Sequence, residues 1–264
     1  MLSMIQGAAP SLCVGLHEVG EGGNVNPYKL SRGLLEKTVL PLGVTVYENS
    51  EVTDLKFDED IARGKVNGHT VTAKNVAVCT NAYTVGPLNM FRGLLAPVTL
   101  YQIVTEPLSA EAKAKLGWNR DNFPSTFYTF HRVLTGVRYT HDDRLIVGTW
   151  WIRYFWNNAV HQQSPTAYRV LEKAMYDFFP ALKETPLKID YRWEGNIAVT
   201  LDDLPRIGRD ESHKNLYYSL GYNGHGVALA NYSGTIVADL YDNYPSAMEK
   251  YKGIPFIGSE EWVM

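Results

Sequence analysis

A glycine-rich turn near the C-terminus is the segment of this sequence whose residue types best suit ligand chemistry. Residues 221–226 read Gly-Tyr-Asn-Gly-His-Gly, between a predicted strand at 216–220 and a predicted helix at 227–241. Glycines let a ligand approach the backbone closely because no Cβ stands in the way. The free N–H groups and the positive dipole end of the helix favour an anion or an electron-rich oxygen. A glycine turn that only packs a helix against a sheet has the same pattern, so both interpretations stand at this point.

Other side-chain patterns narrow the chemistry. His225 is a general base, a cofactor contact or a hydrogen-bonded turn residue. The chain contains no Gly-x-Ser-x-Gly, which gives a hydrolase little support, and no His-x-x-x-His or Cys-x-x-Cys, so metal-ligand spacing is missing. Asp202 and Asp203 are either a carboxylate pair for a cation or a solvated turn. No Gly-x-Gly-x-x-Gly follows a strand, so the motifs of this chain do not build a standard dinucleotide site.

The composition excludes several function classes. The chain has 264 residues with 25 Lys plus Arg against 28 Asp plus Glu, a balance that argues against a nucleic-acid partner. Two cysteines, Cys13 and Cys79, cannot form a disulfide framework. No apolar run reaches the roughly 18 residues that span a bilayer, and the N-terminus does not resemble a signal peptide. These features predict a cytoplasmic protein without a membrane span.

Aromatic residues are abundant, with 17 Tyr and 6 Trp. They suit either the wall of an aromatic-lined pocket or the faces of an antiparallel sheet, and composition alone favours the sheet.

Hydrophobic periodicity predicts an α+β protein, in which an α/β module encloses a mixed antiparallel sheet. The module begins with a helix at 28–40, and Asn67-Gly68 marks a hairpin. A near-continuous apolar strand at 75–80 indicates burial on both faces. A helix at 165–179 interrupts the strands of the middle part. The other predicted strands are 44–47, 51–57, 98–105, 125–131, 136–140, 144–151 and 188–194.

The arrangement of these elements predicts a discontinuous domain with a second domain inserted into it. Residues 22–97 and 196–245 form the first domain, and residues 98–195 form the second. Residues 246–264 are left as a C-terminal tail.

Four motifs follow one another in an order that is informative as a set. The first is a glycine turn with a helix at 22–30, and the second is a pair of strand ends at 49–52 and 76–83. The third is a pair of sheet segments at 104–108 and 143–148. The fourth is a segment at 193–208 that leads into the C-terminal glycine turn at 221–228. The order resembles the FAD-dependent D-amino acid oxidase and glycine oxidase superfamily, in the branch that includes gamma-glutamylputrescine oxidoreductase.

The resemblance implies FAD as cofactor and assigns residues to it. Val52 is implied to meet the adenine, residues 80–82 the ribose, pyrophosphate or ribityl part, and residues 223–227 the pyrimidine end of the flavin. A helix N-terminus suits the last position, because reduction places negative charge on that end of the ring. The implied cofactor-binding residues are Val52, Thr80, Asn81, Ala82, Asn223, Gly224, His225, Gly226 and Val227.

The substrate side is less determined by the resemblance. Trp150, Trp151 and Tyr154 are candidate pocket-wall residues, chosen for aromatic density. In the sarcosine-type branch a Lys two places after Gly-His-Gly helps hold a carboxylate, whereas this chain has Ala228 there. An amine substrate is therefore favoured over an α-amino acid.

The largest departure from the family lies at the N-terminus. The family's first βαβ dinucleotide unit has no counterpart in these 264 residues, so the chain resembles an N-terminally truncated member. The leading prediction is an FAD-dependent oxidoreductase that oxidises a C–N bond to an imine by hydride transfer to flavin. The alternative is a non-catalytic remnant or subunit that needs a homo-oligomer or a complementing chain to complete the flavin site.

Overall fold

The protein divides into two compact units. The computed structural model describes residues 24–58, 60–84, 91, 93–118, 126–128, 135–149 and 164–258. Of these, one unit, called the split unit here, contains 26–98 and 196–258, and the other, called the middle unit, contains 99–149, 164–195 and residues 24 and 25. That the split unit is a cofactor domain and the middle unit a substrate domain stays a prediction.

The split unit begins with the predicted helix. Pro27 occupies the first helical position, and the Asn26 side chain caps the helix by accepting the Lys29 N–H at 3.0 Å. The helix continues through one π-helical segment, Leu35–Val39. The predicted strand at 44–47 does not form, because this exposed segment pairs with no strand among the described residues. The elements of this part are α1 Pro27–Leu34, β1 Val52–Phe57, β2 Ala62–Val66, β3 His69–Ala73 and β4 Val76–Val78.

Strands β1, β2 and β3 form an antiparallel sheet in that order. The turn between β2 and β3 is the predicted Asn-Gly hairpin, with φ of 49° at Asn67 and 81° at Gly68. Positive φ at both central residues gives the twist that a tight hairpin needs. The hairpin prediction is therefore confirmed.

The middle unit is a five-stranded sheet with helices packed on it. The strand order is β6-β7-β8-β5-β9, and the pairs β6/β7, β7/β8 and β8/β5 are antiparallel. Helix α3 begins where the Ser164 side chain accepts the Ala167 N–H, and it packs on β8. Its buried face, with Leu171 and Met175, completes an apolar cluster with Tyr101. The elements are β5 Ala96–Thr105, α2 Ala110–Leu116, β6 Thr126–Tyr128, β7 Thr135–Tyr139, β8 Leu145–Thr149, α3 Pro165–Phe178 and β9 Ile189–Val199.

The split unit resumes after β9 and contains a second sheet. Its order is β10-β11-β4, with β10 antiparallel and β4 parallel to β11. Strand β4 is an edge strand of the described sheet. The predicted burial on both faces is wrong, because Ala77 lines an open cavity and is exposed. The elements are β10 Arg206–Arg209, β11 Leu216–Leu220, α4 Gly226–Asp242 and α5 Tyr244–Lys250.

The C-terminal segment, predicted as a tail from 246, packs onto the split unit as far as residue 258. Tyr251 and Ile257 join Ile207 and Ile236 in one buried cluster, and Ile257 bridges to Ile207. This segment is too short to show a hydrophobic periodicity in the sequence, yet its apolar residues form part of the core. In the part of the chain that the structure describes, no helix is long and apolar enough to cross a membrane.

Candidate functional site

Two turns of the split unit lie at the same edge of a sheet. Strands β4 and β11 are parallel neighbours, with Leu216 opposite Val76 and Tyr218 opposite Val78. The turn after β4 and the glycine turn after β11 therefore leave the sheet side by side. The carboxyl ends of parallel strands are where open α/β sheets bind ligands.

A hydrogen bond joins the two turns directly. The N–H of Gly221 donates to the side-chain Oδ1 of Asn81 at 3.0 Å. Asn81 itself has a φ of 44°, which Asn tolerates better than most residues. Gly221 has a φ of 69°, and a Cβ there would lie 2.7 Å from Cγ2 of Thr200. Both the conformation and the close approach explain why this position is glycine.

Asn223 fastens the glycine turn to the residue that follows β9. Its Oδ1 accepts the Thr200 N–H at 2.8 Å, and its Nδ2 donates to the Gly221 carbonyl at 2.7 Å. Its own N–H donates to the Ala198 carbonyl at 3.2 Å. The side chain is buried, with 6% exposed, so these bonds are shielded from water.

The hydrogen bonds that join Asn223 to Thr200 and Gly221 are called the clamp here. Beside the clamp, the start of α4 presents unsatisfied backbone donors. His225 precedes the first residue of the helix, is exposed, and makes no capping hydrogen bond. The N–H groups of Gly226, Val227 and Ala228 have no acceptor among the described residues. These donors and the dipole of a 17-residue helix favour an electron-rich group.

The other end of the site is a cavity of about 450 Å³ between the β1–β3 sheet and β4. Val52 and Thr80, both predicted to contact the cofactor, line it. Its walls are mostly aliphatic, which suits a flat ring system. The remaining lining residues are Ser50, Glu51, Leu55, Ala62, Gly64, Val66, Val71, Ala73, Val76, Ala77, Val78 and Tyr83.

Some residues predicted to contact the cofactor have side chains that do not face a ligand. Ala82 is 2% exposed, and the amide of Asn223 is used within the protein, so neither side chain faces outward. Gly224 and His225 are exposed, and Val227 is 47% exposed. The assignment of all nine residues to the cofactor stays a prediction. Trp150, Trp151 and Tyr154 lie outside the described residues.

The paired carboxylates form a turn. Oδ1 of Asp202 accepts the Leu204 N–H at 3.2 Å, and Oδ2 accepts from Arg206 at 2.9 Å. Partial burial raises the pKa of Asp202, but the hydrogen bonds from Arg206 and the Leu204 N–H outweigh it and hold this pKa below its ordinary value. Asp203 has a φ of 57°, as a turn residue does. The described residues contain no group of three acidic, His or Cys side chains that could hold a metal ion.

Sequence reasoning missed two residues of this site. Thr200 accepts from and donates to its neighbours around the clamp, and Tyr83 lines the cavity. Thr200 belongs to a motif that the resemblance quotes, but a lone Thr carries no local signal of a partner 23 positions away. The parallel pairing of β4 with β11 is what brings such residues together.

The residues present fit an elongated cofactor with a flat ring at one end and an electron-rich ring edge at the other. The aliphatic cavity beside Val52 and Thr80 suits the first, and the free N–H groups at the start of α4 suit the second. FAD has both features. The residues that would hold it all belong to the split unit.

Comparison with known proteins also indicates a flavin-dependent family. The profile of the family described as FAD dependent oxidoreductase matches residues 3–240. The chain is 32% identical over 222 residues to a probable oxidoreductase, OrdL, of Haemophilus influenzae, covering 82% of this chain and 47% of that protein. It is 30% identical over 241 residues to the gamma-glutamylputrescine oxidoreductase of Escherichia coli K12, covering 89% and 51%. It thus spans about half the length of the curated relatives it matches.

Solved structures of similar fold include two oxidases. The glycine oxidase of Geobacillus kaustophilus superposes with a TM-score of 0.64 at 19% identity, covering 84% of this chain and 55% of that one. The iminodiacetate oxidase of Chelativorans sp. BNC1 superposes with a TM-score of 0.67 at 16% identity, covering 88% and 58%. At these identities the likeness supports the mixed helix and sheet fold, as predicted.

Proposed function

Because this chain belongs to the family of FAD-dependent oxidoreductases, we propose that it oxidises the C–N bond of an amine to an imine. Bound FAD supplies the acceptor for the hydride that leaves the carbon next to nitrogen. The protein supplies binding, orientation and electrostatics. We also propose a cytoplasmic location, because a chain with two cysteines does not depend on an oxidising compartment.

The observation that carries the proposal is the set of free donors at the carboxyl end of β11. The N–H groups of Gly226, Val227 and Ala228 stabilise negative charge that develops on an acceptor placed against them. The dipole of α4 acts in the same direction. No side chain caps this helix, so the donors stay available for a ligand.

The other residues of the site bind and orient. The cavity walls at Val52 and Thr80 exclude water from a flat ring, and Asn81 joins the turn after β4 to the glycine turn. The substrate is proposed to be an amine, since Ala228 offers no charge to a carboxylate. The E. coli relative named for a putrescine derivative fits that class.

The test is reconstitution of the purified chain with FAD, followed by anaerobic addition of amines. The expected results are a protein-bound flavin spectrum and bleaching of that spectrum by an amine but not by the matched alcohol. Bound flavin that no amine or amino acid bleaches would contradict the reaction. No protein-bound flavin at any FAD concentration would contradict flavin binding by this chain.

A second candidate function is that of a subunit whose flavin site is completed by another chain or a second copy. The observation that favours it is the exposed apolar surface at the start of the split unit. Helix α1 and its continuation bury no residue, and Leu42 and Tyr47 are 76% and 78% exposed. Strand β4 also leaves one edge unpaired among the described residues, and such edges attract further strands.

Light scattering and FAD titration together separate the two functions. Completion by another chain predicts self-association, or flavin binding that appears only when a partner is added. A chain that is strictly monomeric, well folded and flavin-free in the presence of added partner fractions would contradict completion.

A further inference from the structure

The hydrogen bonds of the glycine turn single out one residue whose role differs from ligand contact. We propose that Asn223 is a positioning residue for the flavin: its buried amide holds the turn so that the first N–H groups of α4 point at the ring edge. The inference rests on the proposed function, since it concerns the same cofactor.

The amide of Asn223 makes its hydrogen bonds to other groups of the protein. Oδ1 accepts from the Thr200 N–H at 2.8 Å, while Nδ2 donates to the Gly221 carbonyl at 2.7 Å and to Oγ1 of Thr200 at 3.1 Å. Both amide hydrogens and the oxygen therefore have partners. A side chain so engaged acts on a ligand only through the backbone that it holds.

The backbone that it holds determines where α4 begins. Asn223 and Gly224 have φ values of 51° and 85°, two consecutive left-handed residues that reverse the chain. The N–H of His225 then bonds to the Tyr222 carbonyl, and the first intrahelical bond runs from Leu229 to His225. The N–H groups of residues 226–228 have no side-chain cap to fix their direction. The clamp at Asn223 fixes it instead, by holding the turn that precedes them.

The far end of the clamp is itself anchored. Oγ1 of Thr200 donates to the Leu204 carbonyl at 2.9 Å, and Leu204 lies in the turn that Asp202 closes. The clamp therefore joins the glycine turn to a second fixed turn of the same unit. Donors held in place before the charge develops need no reorganisation, which is the condition for strong electrostatic stabilisation.

Two variants and a matched control test the inference. Asn223→Ala removes every hydrogen bond of the amide side chain, and Thr200→Val keeps the Thr200 N–H but removes Oγ1. Asn231→Ala is the control, because this exposed amide of the same helix donates only to its own helix, at the Val227 carbonyl. Thr200→Val also keeps the test open where Asn223→Ala fails to fold, because the Oδ1 bond to the Thr200 N–H survives.

Three readouts are measured: the dissociation constant for FAD, the reduction potential of the bound flavin, and hydrogen exchange of amides 224–228 in the cofactor-free protein. For Asn223→Ala we expect about tenfold weaker FAD binding and about tenfold faster exchange, as for the loss of a buried hydrogen-bond set. The reduction potential of the bound flavin becomes more negative, because the charged reduced ring loses its aligned donors. Thr200→Val moves all readouts in the same direction by less, and Asn231→Ala leaves them within twofold.

The outcomes are distinguishable. Wild-type protein that binds no FAD contradicts the proposed function. Wild-type protein that binds FAD, with Asn223→Ala and Thr200→Val within twofold of it in affinity and unchanged in potential, overturns the positioning role. An equal loss in Asn231→Ala overturns it as well, because any disturbance of α4 would then have the same effect.

Discussion

The middle unit and the split unit use apolar residues in different ways. In the middle unit, α2 and α3 cover a single large cluster in which Tyr101, Leu145 and Leu171 are fully buried. The split unit has two smaller clusters, one around Ile207 and one around Tyr218. Its first helix buries no residue at all. The middle unit thus buries its apolar side chains in its own core, whereas the split unit leaves apolar surface and backbone donors available for binding.

This difference explains why the described features that we propose to bind the cofactor lie in the split unit. A ligand needs backbone groups and apolar walls that the protein has not already used. The split unit offers both at the carboxyl ends of β4 and β11, where Asn81 and Gly221 join two turns.

The largest expected difference between the units is in the cost of truncating a leucine. Leu171→Ala in the middle unit opens a cavity at a fully buried position and should lower the free energy of unfolding by about 2–5 kcal/mol. Leu42→Ala in the split unit removes a side chain that is 76% exposed and should cost less than about 0.5 kcal/mol. Urea unfolding of both variants measures this. Equal losses would break the comparison.

Within the split unit, the glycine turn should be the position least tolerant of a methyl group. Gly221→Ala combines a φ of 69° with a Cβ 2.7 Å from Thr200 and 3.0 Å from Leu95, and it should cost about 1–3 kcal/mol. Gly43→Ala is the control, since its φ is 81° but nothing lies within 4 Å, and it should cost about 1 kcal/mol. Thermal unfolding separates them. A Gly43→Ala loss as large as that of Gly221→Ala would show that close approach is unimportant at the turn.

The exposed side of α4 should accept a methyl group with a gain in stability. Gly234 lies in the helix interior, and a Cβ there meets nothing within 4 Å. Gly234→Ala should therefore stabilise the chain by about 0.5–1 kcal/mol, because alanine loses less conformational entropy in a helix. Urea unfolding gives the value. If the same variant weakens association with a partner, the surface around Gly234 belongs to the completing interface.

The smallest effect concerns the turn that anchors the clamp. The Asp202 carboxylate has a lowered pKa in the folded chain, so it stabilises the fold above its unfolded pKa of about 4. This stability is lost as the pH falls through the folded pKa below that value. The difference in unfolding free energy between wild type and Asp202→Asn should be present at neutral pH and disappear in acid. Asp203→Asn serves as control, and a difference that persists below both pKa values would contradict the assignment.

Local patterns made much of this fold predictable. The Asn67-Gly68 hairpin, the helix that starts after Ser164 and the strand–turn–helix around residue 221 all carry signals within a few residues. The segment at 44–47 has the composition of a strand, yet no described strand lies beside it. Helix α5 is too short to show a period, and it forms because tertiary packing buries Ala247 and Tyr251.

The site was predictable only in part for a related reason. The resemblance pointed to Asn223, but residue type alone cannot show whether an amide faces a ligand or the protein. Its partner Thr200 lies 23 residues away and meets it through the sheet, not through a sequence motif. Roles that depend on non-local pairing have no local signal.

The most direct test of the central claim is hydrogen exchange of the chain with and without saturating FAD. We expect slower exchange at residues 80–84 and 223–228, which follow β4 and β11, and unchanged exchange in β6–β8 of the middle unit. Bound FAD that leaves the two turns unchanged, or protects only the middle unit, would contradict the claim that the split unit holds the flavin.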